Sequence, residues 1–187
     1  MIRAIIFDFF DVFRSDSYNR WLRKHDLERE GVYLTASEKH DRGEYSDKQF
    51  YQAVGDASGE SSEQVKQEME TGNGLNKTLV EYLTTLKGQY KIALLSNSSS
   101  EYLRNELAKY DLEPYFDEIA ISSEIGLIKP EPKIFRYITQ KLSVEPTECV
   151  FIDDNPKHIT AAEKLGLHGI VYCDVPLLKR QLQQLLG

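Results

Sequence analysis

Three aspartates, a serine and a lysine stand where short apolar runs of this chain end. Asp8 follows Ala4–Phe7 (AIIF), Ser96 follows Ile92–Leu95 (IALL), and Asp153-Asp154 follows Cys149–Ile152 (CVFI). Lys129 lies in the loop beyond a weaker run, Ile119–Ile121. A single polar residue ending a strand is commonplace. All five together are less easily dismissed, because like charges brought together cost energy unless a counter-ion joins them. Carboxylate oxygens suit Mg²⁺, which takes few protein ligands and keeps several waters. A hydroxyl, an ammonium and a helix starting just after Ser96 suit a phosphate group.

The apolar runs must bring these residues together. With a fifth, Ile170–Cys173 (IVYC), they read as buried strands of a parallel α/β sheet, separated by helical patterns. In such a sheet, ligands bind outside the carboxyl ends of the strands. The helices carry their own signals. Ser98-Ser-Ser-Glu101 has capping-box spacing ahead of Leu103 and Leu107. Pro132 opens a helix with Ile134, Ile138 and Leu142 on one face, and Asn155-Pro156 opens another that Gly166 closes. Pro176 opens a last helix bearing Leu178, Leu182 and Leu185.

The spacing of the runs divides the chain. The later strand ends lie about 20–30 residues apart, enough for one crossover helix each. The first two, near residues 7 and 95, are much too far apart for one crossover. The intervening segment has amphipathic stretches around Trp21/Leu22, Phe50/Tyr51 and Val65/Met69, and a capping box at Ser46-Asp-Lys-Gln49. Asp56–Ser62 is its most loop-like part, Gly72-Asn-Gly74 ends it, and Leu79, Leu83 and Leu86 return the chain to the sheet. The expected fold is a Rossmann-like doubly wound sheet of about five parallel strands. Residues 1–13 and 76–187 form the core, and 14–75 form an inserted small helical cap.

Composition limits the partners. The 187 residues carry a net charge of −7, and no basic patch stands out, which argues against nucleic acid but leaves room for a small phosphorylated substrate. No apolar run approaches the roughly 20 residues that span a bilayer, and the N-terminus has an acid where a signal peptide would stay apolar. A cytoplasmic protein, with no membrane partner, is expected. Cys149 and Cys173 are expected as buried strand cysteines too far apart for a disulfide. His158, His25, His40 and His168 read as surface residues. Arg14, Arg42 and Tyr45 could face a substrate from the cap, whereas Trp21 reads as cap core.

Four segments, in this order and spacing, carry a resemblance: IIFDFFDVF, LLSNSS, IGLIKPEPKIF and FIDDNPKHITAAEKLG. The chain resembles the haloacid dehalogenase-like hydrolases, particularly the phosphatase branch with a small helical cap. The resemblance implies phosphoryl transfer to an aspartate. Asp8 would be the nucleophile. Ser96 would hydrogen-bond the phosphoryl group, Lys129 would neutralise charge and hold the nucleophile, and the Asn97 backbone amide would touch phosphate. Mg²⁺ would be held by Asp8, the Phe10 carbonyl and Asp154, with Asp153 beside them or bound directly. One position departs from the pattern. The family's phosphatases usually carry an acid–base aspartate two residues after the nucleophile, and this chain has Phe10 there, followed by Asp11. Three readings stay open: a phosphatase working without that acid, a metal-independent 2-haloacid dehalogenase, or a non-catalytic binding module. The paired Asp153-Asp154 counts against the dehalogenase, whose branch usually has small polar residues there.

Overall fold

A computed structural model describes residues 1–71 and 74–187. Gly72 and Asn73, part of the expected break after the cap, lie outside the described residues. Five strands form one parallel sheet in the order β3-β2-β1-β4-β5: β1 (Ala4–Phe7), β2 (Lys91–Ser96), β3 (Glu118–Ile121), β4 (Cys149–Asp153) and β5 (His168–Val171). Phe7 lies in register with both Leu94 and Ile152, so the ends of the three central strands align.

Alternation along the strands builds two cores, one on each face. Ile5, Phe7, Ile92 and Leu94 face α5 (Lys77–Leu86), α6 (Ser100–Lys109) and α10 (Val175–Leu186). Ala4, Ile6, Ala93 and Leu95 face α8 (Pro132–Leu142) and α9 (Pro156–Glu163). Leu79, Leu83, Ile134, Ile138 and Leu142 are buried as their spacing requires. Leu185 is the exception on α10: it is 37% exposed, while Leu178 and Leu182 are buried.

Three boundaries differ from expectation. The N-cap of α6 is Ser99, whose hydroxyl accepts from Tyr102 N, while the Ser98 hydroxyl donates to Ser99 O and the Ser98 N–H to the Ser122 hydroxyl. β5 begins and ends two residues early. Gly169 fits it there, since a Cβ at that site would meet Ile159 Cγ2 at 2.4 Å, and Cys173 is left exposed rather than buried. Asp56–Ser58 are helical, because Gly59 ends its helix with φ 79° and Ser61 at once begins a second capping box with Gln64.

The cap consists of α1 (Ser17–Lys24), α2 (Gly31–Asp41), α3 (Asp47–Ser58) and α4 (Ser62–Glu70). Its helices enclose their own apolar cluster, with Trp21, Phe50, Val54, Val65 and Met69 at the centre. Both halves of the Ser46–Gln49 capping box form. The cap docks on the core through α7 (Ser122–Ile125): the Ser122 hydroxyl donates to Asp41 O, and a Cβ on Gly43 would meet Ser123 O at 2.5 Å. Among the described residues no helix is long and apolar enough to cross a membrane.

At the first linker the structure corrects an expectation. Arg14 does not face a substrate; it is buried in an ion pair with Glu106 of α6. Removing one member of a buried pair leaves the other charge uncompensated, at a cost of about 3–5 kcal/mol. Arg14→Met should lower unfolding stability by that order in urea titrations, and adding Glu106→Leu should restore most of it. An unchanged midpoint for the single variant would show that the pair does not stabilise the fold.

Candidate active site

The cluster is assembled at the carboxyl ends of β1, β2 and β4. Asp8 continues β1, with its N–H donated to Ile152 O at 2.9 Å. Lys129 Nζ sits 2.7 Å from Asp8 Oδ1 and 2.7 Å from Asp153 Oδ2, and its side chain is 1% exposed. A buried ammonium is stable only with such partners. Asn97 fastens the loop that carries it: Lys129 N donates to Asn97 Oδ1 at 2.8 Å, and Asn97 Nδ2 donates to Lys129 O at 3.0 Å. Sequence reasoning gave Asn97 a backbone role; the side chain's role as a clamp had no local signal, because its partner is 32 residues away.

Asp153 is saturated. Beyond Lys129, its Oδ1 accepts from Asn155 N at 2.8 Å, and His158 Nδ1 lies 3.0 Å from both carboxylate oxygens. His158 is therefore not a solvated helix-surface residue. One turn of α9 returns it to the strand end from which the helix starts, a contact its spacing from Asp153 permits but does not announce. Asp8, Asp153 and Asp154 each offer an oxygen within 4.8 Å of the others.

Burial pushes the Asp8 carboxyl up to about 8; neighbouring Asp153 adds to the shift and Lys129 opposes it. Burial, reinforced by Asp153 and Asp11, raises Asp154 to about 6. Asp153 goes the other way. Burial opposes its charge, but Lys129 and His158 outweigh it and hold the carboxyl down at about 2. A cation held between Asp8 and Asp154 would favour their ionised forms, and oxygen donors of this kind suit a hard divalent ion.

A cavity of about 470 Å³ opens between this cluster and the cap. Asp8, Phe10, Asn97, Lys129 and Asp154 line it from the core, and Arg29, His40, Asp41 and Phe50 line it from the cap. Ser96 and Asp153 are not among its lining residues; both are fully buried, and Ser96 Oγ has no hydrogen-bond partner among the described residues. His40 is half-buried, stacked on Phe50 at 4.3 Å and bonded to Asp47 at 2.8 Å, not a plain surface residue. Arg42 pairs with Glu131 and Tyr45 lies under Lys39, so neither lines the cavity. Trp21 is cap core, as read.

A doubly wound core with this cluster at its strand ends and a helical cap over them makes a Rossmann-like α/β fold. The chain belongs to the haloacid dehalogenase-like hydrolases, whose family model matches residues 2–166. It is 32% identical over 110 residues to a drimenol cyclase, DrtB, of Aspergillus calidoustus, a match covering 57% of this chain and 21% of the cyclase. It is 32% identical over 80 residues to a phosphoserine phosphatase of Thermus thermophilus, covering 42% of this chain and 32% of that one. The chain thus spans about a fifth to a third of these relatives. A HAD family enzyme from Bacteroides thetaiotaomicron, solved with magnesium and inorganic phosphate, superposes with a TM-score of 0.74 at 20% identity, covering 95% of this chain and 99% of that one. Relatives with such different activities share the fold rather than one reaction.

Proposed function

We propose that this hydrolase is a Mg²⁺-dependent phosphatase of a small phosphorylated metabolite, working through an aspartyl-phosphate on Asp8. The observation that carries the reading is Lys129, buried between Asp8 and Asp153 and fixed by Asn97 at the floor of the cavity. Held so, the ammonium keeps Asp8 oriented and meets the charge of an incoming phosphoryl group. Ser96, fully buried and without a hydrogen-bond partner among the described residues, does not line the cavity, so the phosphoryl contact expected of it is not part of this reading. Asp8, Asp154 and the Phe10 carbonyl would hold the Mg²⁺, with Asp153 kept back by Lys129 and His158, and the ion would offset the charges of carboxylate and phosphate. Asp11 is engaged elsewhere: its Oδ1 accepts from Asp16 N at 2.9 Å and ties down the start of the cap.

The test is hydrolysis of 4-nitrophenyl phosphate with Mg²⁺ and with chelator. Turnover that requires the metal is expected. Halide release from a 2-haloacid in chelator, with no phosphate ester hydrolysed, would overturn the proposal in favour of a dehalogenase. Inertness in both assays would leave a binding module.

A further inference from the structure

The wall beside the nucleophile is aromatic. Phe10 lines the cavity with one ring face on Tyr102, their centroids 6.0 Å apart and their planes 25° apart. Phe9 packs perpendicular to it with centroids 5.3 Å apart, which fixes the ring in place. Tyr102 also lines the cavity, and its buried hydroxyl has no hydrogen-bond partner among the described residues. The surrounding walls carry charges of both signs: Asp11, Asp16, Glu38 and Asp41 are acidic, Lys157 is basic, and Arg29 lies beside Asp41 at 3.5 Å and over the Tyr18 ring.

From this wall we infer, resting on the phosphatase reading, that the substrate is a phosphate monoester of an aromatic hydroxyl. Phe10 places an apolar aromatic residue on the cavity wall two positions from the nucleophile, and it offers no proton. An aryl leaving group needs none. A phenol releases its proton near about 10, whereas an aliphatic hydroxyl, like water, holds it to near about 16. Asp8 attacks phosphorus, the P–O bond breaks, and the aryl oxide leaves with the bonding electron pair and takes its proton from solvent. Water then cleaves the acyl-phosphate, releasing phosphate and restoring the Asp8 carboxylate. An alkyl ester would have to expel an unprotonated alkoxide and would lose the roughly 10²–10⁴-fold that general acid catalysis supplies.

Phenyl, benzyl and butyl phosphate separate the two roles in the Mg²⁺-loaded protein, because the benzyl ester has the ring but an alkoxide leaving group. Phenyl phosphate should exceed both others in kcat by at least about 10²-fold. Phenyl and benzyl esters should share a lower KM than butyl. Calorimetry should show phenylphosphonate binding at least about tenfold more tightly than methylphosphonate, and Phe10→Leu should reduce that preference several-fold. Equal binding of the two phosphonates, or a butyl ester hydrolysed as fast as the phenyl ester through a proton from Asp41 of the cap, overturns the inference and leaves the phosphatase reading intact. If neither phosphonate binds and no ester is hydrolysed, the reading itself falls, and the inference with it.

Discussion

Asp8→Asn should abolish turnover, by about 10⁴-fold or more, while making the metal-free protein more stable at pH 8. The first effect follows from the role proposed for Asp8: an amide of the same shape cannot form the acyl-phosphate, and loss of a nucleophile removes most of a site's rate enhancement. The second follows from linkage. The Asp8 carboxyl is pushed from 3.8 to about 8 by burial, so the folded state holds its proton more tightly than the unfolded chain. Its contribution to stability is whole below about pH 4 and fades as pH rises through about 8. Asparagine carries no such titration, so the variant's melting temperature should overtake wild type across this window. Adding Mg²⁺ should narrow the gap by stabilising the wild type's charged carboxylate. Thermal melts from pH 5 to pH 8, with and without the ion, check both signs. A variant that melts lower than wild type at pH 8 in chelator would show that Asp8 is held as a carboxylate by Lys129 alone.

The sequence pattern made the strands legible because their residues are buried on both faces: AIIF, IALL and CVFI are apolar without alternation, as only central parallel strands are. Asp8, Ser96, Lys129 and Asp153-Asp154 could be placed together because each ends or follows such a strand. The cap was readable as helical from Trp21, Phe50 and Val65, and from one capping box. Its contribution to the cavity was not. Arg29, His40 and Asp41 line the cavity because of how α2 sits on α7, and that docking depends on close contacts such as Gly43 on Ser123, which leave no periodic trace. Arg14 was misread for the same reason. A linker arginine looks available for ligand until its partner, Glu106, is brought up from 92 residues away by the fold. Charged residues are read in sequence as solvated or functional, and a buried pair is visible only once both elements are placed.

Replacing Phe10 by aspartate should raise steady-state turnover of alkyl phosphates by about 10²-fold. It should also change the shape of the progress curve with aryl phosphates. In the wild type the first step needs no proton donor when the leaving group is a phenolate, but the second step needs a base to activate water, and Phe10 cannot serve. With Asp11 Oδ1 accepting from Asp16 N, and no other cavity carboxylate taking the part of base, the acyl-phosphate of the proposed mechanism should accumulate. Stopped-flow release of 4-nitrophenolate should then show a burst of about one equivalent per site before a slower steady state. An aspartate at position 10 serves both steps, as acid and then as base, and should remove the burst while raising kcat. The exchange has a structural cost. It forfeits the ring contact with Tyr102, worth about 0.5–1.5 kcal/mol, and adds a carboxylate to the wall already lined by Asp8, Asp11 and Asp154. The variant should therefore be less stable and depend more steeply on Mg²⁺, even as it becomes faster. Unchanged alkyl turnover with a folded variant would mean that another cavity carboxylate already delivers the proton. Asp41→Asn and Asp11→Asn, assayed on the same alkyl ester, would then identify which, since only the donor's loss lowers kcat and flattens the alkaline limb of its pH profile.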